Sequence, residues 1–191
     1  MTPDPATFFG WFNYEPVYSE AVDRFKGGKG YYAEIGCFLG VSTAYLAQAI
    51  KSSSKDITLF AIDTWDGFGA GVDDFMKKHN KDILYLFWRN MRTLGLDKKI
   101  IPIRCDSTVA ATKVHRSVMF DFIFIDGDHT QDKVYADLDA WWKRLKPNCI
   151  IAGHDYRRDV RWAIKKWSRD NNQPIIDKSL QGECWAFLKP K

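Results

Sequence analysis

The feature that most constrains the fold of this chain is an alternation of short apolar runs with segments of helical periodicity. The run FDFIFI at 120–125 is apolar except for one acid, which suits a β-strand covered on both faces. The segments at 41–51 and 130–147 instead place their apolar residues on one helical stripe, and Lys146-Pro147 is expected to stop the second helix. Strands that alternate with helices predict a parallel sheet with helices on both of its faces.

The predicted fold class is α/β, a doubly wound, Rossmann-like fold of one domain. The chain has 191 residues and contains no internal repeat or break in composition, so residues 1–29, an aromatic arm or helix, are assigned to the same domain as residues 30–191. A further helix is expected at 157–170. Seven strands are predicted, in the segments YYAEI, DITLFAID, IIPIRCD, FDFIFID, NCIIAGHD, PIIDKS and ECWAFLKP.

Each of the first five predicted strands ends in polar residues. In open α/β sheets, ligands bind outside the carboxyl ends of the strands, near the point where the strand order reverses. Acids that serve only solubility would be spread evenly between the two edges of the sheet. In this chain they lie at one edge, which favours a functional site there. The residues concerned are Glu34 with Gly36 and Gly40, Asp63, Asp106, Asp126, and His154 with Asp155.

The ends of the first two strands suggest a nucleoside ligand. Gly36 and Gly40 permit a close backbone approach, although a tight strand-to-helix turn explains the glycines equally well. Asp63 follows at about the spacing at which an acid accepts hydrogen bonds from ribose hydroxyls. The glycine pattern departs from the GxGxxG that cradles a pyrophosphate, which favours a nucleoside without a diphosphate over NAD.

The segments EIGCFLG, LFAIDTWDGF, RCDS and FIDGDHTQD, followed by GHDY, resemble the class I S-adenosylmethionine-dependent methyltransferases. Within these, the chain is similar to the group with DGDH and GHDY motifs, which includes macrocin-type sugar O-methyltransferases and cephalosporin-hydroxylase-like proteins. The resemblance covers about residues 30–160. It implies a seven-stranded sheet with an antiparallel last strand and S-adenosylmethionine as the cofactor.

The same resemblance implies roles for the residues at the strand ends. Those at the first strand would line the methionine and ribose end of the cofactor, Asp63 would hold the ribose hydroxyls, and Asp106 with Ser107 would approach the adenine. The predicted cofactor-binding residues are Glu34, Gly36, Gly40, Ser42, Asp63, Trp65, Asp106, Ser107 and Asp126.

The acids after the fourth and fifth strands predict a site that activates a hydroxyl group. A divalent cation lowers the pKa of a bound hydroxyl, and carboxylates suit Mg²⁺, so Asp126, Asp155 and His154 are the predicted metal ligands. His129 is the predicted catalytic base. His129 could instead only bond within its turn, and His154 could support a ligand rather than be one. The segment Gly153–Asp155 supplies a single carboxylate, which leaves the need for a metal open.

Asp128 has the spacing of a capping box with Gln131, so it is predicted to cap the following helix, with Thr130 as a competitor for that role. Residues that could cover the substrate are Trp65, Phe68, and the segments 8–16, 69–75 and 73–90. The segment 69–75 looks flexible enough to close over a ligand. The alternative for most of the tryptophans is a place in the core or at an oligomer contact.

Composition limits the remaining classes of function. The net charge of +4 is modest, and the basic run at 157–169 resembles one solvated helix face, which argues against a nucleic-acid partner. Four cysteines without metal-binding spacing are interpreted as small buried hydrophobic residues. No signal peptide or membrane segment is apparent, so a cytoplasmic location is expected.

The predicted function is O-methylation of a small-molecule hydroxyl, such as that of a sugar, by a protein that could form a homo-oligomer. Three alternatives remain open. A Rossmann oxidoreductase would bind NAD, a metal-dependent phosphoesterase would hydrolyse phosphate esters, and a non-catalytic protein would bind a nucleoside or, through its basic helix, nucleic acid.

Overall fold

The computed structural model describes residues 9–67, 82–176 and 183–191. It confirms the α/β fold class. The strands are β1 (Lys29–Ile35), β2 (Asp56–Asp63), β3 (Ile100–Arg104), β4 (Phe120–Ile125), β5 (Leu145–Gly153) and β6 (Trp185–Leu188). The α-helices are α1 (Glu15–Arg24), α2 (Val41–Ser53), α3 (Ile83–Thr93), α4 (Ser107–Lys113), α5 (Gln131–Trp142) and α6 (Arg158–Asp170).

The six strands form one sheet in the order β3-β2-β1-β4-β5-β6. All neighbouring pairs are parallel except β5 and β6, so the prediction of an antiparallel last strand is confirmed. From β1 the chain proceeds outward to β2 and β3, and it then returns to place β4 on the other side of β1. The strand order therefore reverses between β1 and β4, and a ligand crevice is expected at the carboxyl ends of these two strands.

The alternation of side chains along the central strands builds a separate core on each face of the sheet. On β4, Phe122 and Phe124 pack into the core that includes α1, α2 and α3, whereas Ile123 and Ile125 pack into the core with α4, α5 and α6. Both faces are covered, which explains why β4 is apolar almost throughout. Four of the eight tryptophans are fully buried in the core, namely Trp65, Trp141, Trp167 and Trp185, and Trp88 and Trp142 are partly buried against it.

The helix predicted at 130–147 ends earlier than expected. Helix α5 ends at Trp142, and Leu145, assigned to the helical stripe from sequence, is the first residue of β5. Pro147 lies in this strand where the register with β4 shifts between Phe120 and Phe122. A proline has no N–H to donate, and the irregular pairing at this point accommodates its absence.

The prediction of seven strands is wrong for the described residues, which contain six. In the predicted strand PIIDKS, Ile176 pairs with Ala186 in one antiparallel bridge, Pro174 and Ile175 are in no strand, and residues 177–179 lie outside the described residues. Pro174 has no N–H to donate to a ladder, which disfavours regular pairing at the start of this segment. None of the helices in the described part of the chain is long and apolar enough to cross a membrane.

Helix α3 occupies much of a segment that the sequence predicted as a cover for the substrate. Asp82 caps it by accepting hydrogen bonds from the backbone N–H groups of Leu84 (2.8 Å) and Tyr85 (3.3 Å). Its buried face packs into the same core as α1 and α2. Phe68 and the predicted flexible segment 69–75 lie outside the described residues. The four cysteines are free thiols, and each is buried or half-buried.

Candidate functional site

A cavity of about 990 Å³ opens at the carboxyl ends of the strands, where the strand order reverses. Gly36 follows β1 with φ of +87°, and a Cβ atom at this position would lie 2.0 Å from the carbonyl oxygen of Asp126. Only glycine allows the loops after β1 and β4 to approach so closely. The close approach of these two loops, rather than a ligand alone, therefore requires Gly36.

Asp63 organises the backbone around the cavity. One of its carboxylate oxygens accepts hydrogen bonds from the N–H groups of Cys37 (2.8 Å) and Phe38 (2.9 Å), and the other accepts from Trp65 (2.7 Å). Phe38 and Trp65 both have positive φ values, of 45° and 50°. Asp63 thus holds together two strained loops that line the cavity.

Asp106 and Lys133 form an ion pair at the β3 side of the cavity, with a distance of 2.9 Å. Asp106 also caps α4 through the N–H of Thr108. Hydrogen bonds from Thr108 and Lys133 lower the pKa of Asp106 to about 2, so its carboxylate is ionised at neutral pH. Both residues line the cavity, which gives this side a fixed charge pair that a polar ligand can contact.

A buried polar network lies beside this ion pair. The indole N–H of Trp141 donates to the Ser107 hydroxyl at 2.7 Å, and Ser107 also hydrogen-bonds to Asp137. Asp137 lines the cavity and is only 4% exposed. Its burial raises its pKa to about 7. Sequence reasoning missed this residue, because Asp137 is one of several acids along α5 and its burial depends on packing against α4.

Asp137 predicts an unusual dependence of stability on pH. Because its pKa is raised in the folded state, its stabilising contribution is complete below about pH 4 and is lost as the pH rises through about 7. The shift corresponds to at most about 4 kcal/mol. We expect Asp137→Asn to raise the free energy of unfolding at pH 8, measured by urea denaturation, and to bring no such gain at pH 4.

The control for this prediction is Asp139→Asn, two residues along the same helix, where the acid forms a surface ion pair with Lys143. This variant should not become more stable than the wild type as the pH rises. If Asp137→Asn and Asp139→Asn respond alike to pH, Asp137 does not carry a raised pKa.

The acids after β4 and β5 meet two imidazoles in a group that we call the carboxylate–imidazole cluster, formed by Asp126, His129, His154 and Asp155. His129 Nε2 lies 3.4 Å from Asp126 Oδ1 and 3.4 Å from Asp155 Oδ2. His154 Nδ1 lies 3.8 Å and 3.6 Å from the same two oxygens. One oxygen of each carboxylate therefore faces both imidazoles.

The other oxygen of each carboxylate is held by a neighbouring side chain. The buried Tyr14 donates its hydroxyl to Asp126 Oδ2 at 3.0 Å, and Arg157 bonds Asp155 Oδ1 at 2.7 Å. Burial and the charge of Asp126 raise the pKa of Tyr14 well above its usual value, so Tyr14 remains a hydrogen-bond donor at neutral pH. These bonds fix the direction in which each carboxylate presents its other oxygen.

Electrostatic effects in the cluster favour the imidazolium form of His129 and the carboxylate form of Asp155. The hydrogen bond to Asp126 raises the pKa of His129, against the opposing effect of burial. For Asp155, burial opposes ionisation, but Arg157 and the two imidazoles outweigh it and lower the pKa. His129 is about half exposed, so it can exchange protons with solvent or with a ligand in the cavity. A group that moves a proton needs this access.

Asp128 does not cap α5 as predicted. Thr130 occupies the N-cap position without a capping hydrogen bond from its side chain. Asp128 instead accepts a bond from the Thr130 N–H at 2.8 Å, which closes a tight turn before the helix. The capping-box spacing is present in the sequence, but the Asp128 carboxylate oxygen accepts its hydrogen bond within the turn after β4 and does not cap the helix.

Glu34 lies behind the cavity rather than among its lining residues. It is fully buried and accepts a hydrogen bond from the Tyr18 hydroxyl at 2.7 Å, and burial raises its pKa. Gly40 also lies outside the cavity lining, and a Cβ there would lie 2.6 Å from Met91 Cε. Both residues belong to the buried side of the segment that joins β1 to α2, whereas Ser42 lines the cavity.

Aromatic side chains stand at the mouth of the cavity. Trp11 is 65% exposed and stacks on Phe38, with ring centroids 6.3 Å apart. Trp65 is buried, and its indole N–H donates to the Phe38 carbonyl at 2.9 Å. The N-terminal arm thus contributes an exposed ring beside the cavity, and Trp65 fixes the loop that carries the other ring. Such surfaces bind flat rings or sugar faces.

The structure therefore gathers most of the predicted site residues around one cavity. The predicted residues that line it are Gly36, Ser42, Asp63, Trp65, Asp106, Ser107, Asp126, His129, His154 and Asp155. Lining residues that sequence reasoning missed are Lys133, Asp137 and Arg157, whereas Tyr14 lies in the segment 8–16 that the sequence predicted as a substrate cover. Asp137 and Lys133 follow the DGDH motif on α5, but nothing in their spacing distinguishes them from surface charges.

Comparison with known proteins gives one family match. A family model described as a methyltransferase domain matches residues 33–156, which is well over half of the chain. That range includes the whole carboxylate–imidazole cluster and all of the predicted cofactor-binding residues. A search of curated proteins finds no match.

Many solved structures share the fold. The O-methyltransferase NovP has a TM-score of 0.74 at 14% identity, over 93% of this chain and 79% of NovP. CalS11, described as a TDP-rhamnose 3'-O-methyltransferase of calicheamicin biosynthesis, has a TM-score of 0.62 at 11% identity, over 91% and 77%. An S-adenosylmethionine-dependent O-methyltransferase from Thermotoga maritima has a TM-score of 0.64 at 14% identity, over 96% and 68%. Identities this low establish a common fold only.

Proposed function

The chain belongs to the family of methyltransferase domains, and from this premise we propose that it transfers the methyl group of S-adenosylmethionine to a hydroxyl oxygen of a small molecule. The observation that carries the proposal is the continuity of the cavity. It joins the loops held by Asp63 and the ion pair of Asp106 to the carboxylate–imidazole cluster. One space can thus hold a nucleoside cofactor and present an acceptor to a proton-accepting group.

The residues present fit S-adenosylmethionine. The volume of the cavity, about 990 Å³, lies at the upper end of the usual range for small-molecule sites, about 300–1,000 Å³. The cavity therefore has room for the cofactor and the acceptor together. Asp63 and the backbone that it organises would hold the ribose, and Asp106, Ser107 and Lys133 would surround the adenine. Gly36 and Ser42 would border the methionine portion. When bound, S-adenosylmethionine supplies a methyl group on a sulfonium for in-line displacement by the acceptor oxygen.

The chain's own contribution is to orient the acceptor and take up its proton. The neutral imidazole of His129 is proposed to accept the hydroxyl proton at Nδ1, because Nε2 faces the two carboxylates and the ring is partly exposed and lines the cavity. Asp126 and Asp155, each 3.4 Å away, stabilise the imidazolium that forms. Tyr14 keeps Asp126 in the orientation that this contact needs. The enclosing walls place the two reactants in one geometry, and orientation supplies much of the rate.

A divalent cation is part of this proposal. The ligand atoms of Asp126, His154 and Asp155 lie within 4.8 Å of one another, so the donors fit a single ion. A bound cation would lower the pKa of the acceptor hydroxyl. Asp126, Asp155 and His154 would hold the cation, and His129 would take up the proton of the acceptor hydroxyl.

A sugar hydroxyl is the proposed acceptor. The exposed Trp11 ring beside the cavity offers an apolar face for a sugar ring, and CalS11 is described as acting on TDP-rhamnose. The DGDH and GHDY segments supply the whole cluster, which supports a place in the group of sugar O-methyltransferases with these motifs.

The first test is isothermal titration of the full chain with S-adenosylhomocysteine, the demethylated cofactor. We expect a dissociation constant in the micromolar range. Failure to bind at millimolar concentration would overturn the proposal. In that case turnover of an aryl phosphate would support the phosphoesterase alternative, which the Asp and His residues of the cluster would also suit.

The role of His129 is tested with His129→Gln, after acceptors have been identified by transfer of radioactive methyl groups to a panel of nucleotide sugars and phenols. We expect kcat to fall by about 10²-fold or more, because glutamine cannot accept the proton. Affinity for S-adenosylhomocysteine should remain unchanged. His115→Gln, at an exposed histidine bonded to Ser117, is the matched control. Equal activity of the two variants would remove His129 from the mechanism.

A further inference from the structure

We propose that the cation site of the carboxylate–imidazole cluster selects a transition-metal dication of the Fe²⁺, Co²⁺, Ni²⁺ or Zn²⁺ class over Mg²⁺, and that His154 sets this selectivity. The inference deepens the cation component of the proposed function. It replaces the Mg²⁺ expected from the sequence, because His154, the third of the predicted ligands, offers a nitrogen donor rather than an oxygen.

The carboxylates of the site are oriented by the protein rather than free to turn. Tyr14 holds Asp126 Oδ2 at 3.0 Å, and Arg157 holds Asp155 Oδ1 at 2.7 Å. The remaining oxygens, Asp126 Oδ1 and Asp155 Oδ2, face the same point. Outer hydrogen bonds of this kind fix the ligands of a metal in proteins. The site is thus more than a cluster of acidic side chains at the surface.

His154 completes the site with an imidazole nitrogen. Its Nδ1 lies 3.8 Å from Asp126 Oδ1 and 3.6 Å from Asp155 Oδ2. The ligand atoms of a tetrahedral ion with bonds of about 2.1 Å lie about 3.4 Å apart, so modest shifts would bring all three into coordination. The His154 side chain is 13% exposed and lies against the Tyr14 ring, with centroids 4.9 Å apart. This packing keeps Nδ1 directed at the carboxylate oxygens.

The second nitrogen of His154 is enclosed by the protein. Nε2 is buried and has no hydrogen-bond partner among the described residues, and a buried polar atom without a partner carries an energetic cost. Because Nε2 is enclosed, a ligand in the cavity can contact this imidazole only through Nδ1, the nitrogen that faces the two carboxylates. The ring is therefore placed to offer one nitrogen donor to the site.

The chemistry of the donors decides the class of metal. Mg²⁺ prefers oxygen ligands and near-ideal octahedral geometry, and it retains several waters. Imidazole suits Zn²⁺, Fe²⁺, Ni²⁺ and Cu²⁺. A site with two carboxylates and one buried imidazole therefore gains affinity for these ions without an equal gain for Mg²⁺.

The test is competitive metal binding to the full chain after removal of metals with a chelator. Ni²⁺, Zn²⁺ and Mg²⁺ are titrated into the wild type and into His154→Asp, which makes all three donors carboxylates. Carboxylate sites also bind Zn²⁺ and Ni²⁺ more tightly than Mg²⁺, so the change between the two proteins is decisive. We expect the preference for Ni²⁺ over Mg²⁺ to fall by about tenfold or more in His154→Asp, because imidazole favours Ni²⁺ and the carboxylate that replaces it suits Mg²⁺. His115→Asp should retain the wild-type preference.

An unchanged preference in His154→Asp would overturn the inference, as would tighter binding of Mg²⁺ than of Ni²⁺ by the wild type. Titration with S-adenosylhomocysteine separates this inference from the proposed function. Cofactor binding without the metal preference overturns the inference alone. Loss of cofactor binding in the wild type overturns the proposed function and leaves the metal result to be judged by itself.

A measurement on a protein that retains His154 covers the case in which His154→Asp does not fold. In the Co²⁺-loaded protein, the N–H of a coordinated imidazole gives a strongly shifted, exchangeable proton resonance. We expect such a signal from the buried Nε2–H of His154, and we expect it to persist in His129→Gln. Absence of that signal in Co²⁺-loaded His129→Gln would contradict ligation by His154.

Discussion

Methyl transfer is expected to fall by about 10²–10⁴-fold in Asp126→Asn, with little change in affinity for S-adenosylhomocysteine. The amide oxygen can still accept the Tyr14 hydroxyl, so the local fold should be retained. The amide NH₂ group would then face His129 without a negative charge, which removes the partner of the imidazolium and one ligand of the cation. Chemistry is thus lost while the cofactor portion of the cavity remains.

This result is measured as kcat with the identified acceptor and as the dissociation constant of S-adenosylhomocysteine. Asp132→Asn, an exposed acid in the first turn of α5, is the control and should retain activity. A parallel loss of activity and cofactor affinity in Asp126→Asn would assign Asp126 to cofactor binding instead. Retention of activity would exclude it from the chemistry.

The second large effect is expected at Asp63. Asp63→Ala removes the acceptor for the N–H groups of Cys37, Phe38 and Trp65, and each donor left buried without a partner costs about 1–3 kcal/mol. We expect the free energy of unfolding to fall by at least about 2 kcal/mol. Affinity for S-adenosylhomocysteine should fall by about tenfold or more, because a loss of about 1.4 kcal/mol in binding is already a factor of ten.

Asp56→Ala provides the matched control for Asp63. Asp56 lies at the opposite end of the same strand and forms a surface ion pair with Lys99, so its replacement should change neither stability nor cofactor affinity appreciably. Urea denaturation and isothermal titration measure the two quantities. A stable Asp63→Ala variant with wild-type affinity would show that the loops keep their conformation without the carboxylate.

The different expectations for Asp63 and Asp126 could be only partly derived from the sequence. Both are acids that follow an apolar strand, and the parallel sheet brings both to the same edge. The sequence predicted Asp63 as a direct ligand of ribose. The structure adds that both carboxylate oxygens accept hydrogen bonds from backbone N–H groups, so a bound ribose would have to share them. Such loop contacts depend on the positive φ values of Phe38 and Trp65, which the sequence did not reveal.

Tyr14 and Asp137 lie outside the sequence motifs, and their contacts in the site could not be predicted from the sequence for a different reason. Tyr14 lies 112 positions before Asp126, and it reaches that carboxylate only because α1 packs over the sheet. Asp137 is adjacent in space to Ser107 because α4 and α5 pack side by side. No local pattern encodes either contact, since each depends on how two distant elements are packed.

The sequence by itself determined the alternation of elements, the parallel sheet, and the edge at which the polar residues would meet. These follow from side-chain periodicity and from the chain direction, which are local properties. Only the tertiary structure decided which oxygen of Asp126 and of Asp155 faces the two imidazoles, which neighbours hold the other oxygens, and which histidine is the more enclosed. These properties arise from packing between distant segments, because burial and hydrogen-bond partners are set by neighbours in space rather than along the chain.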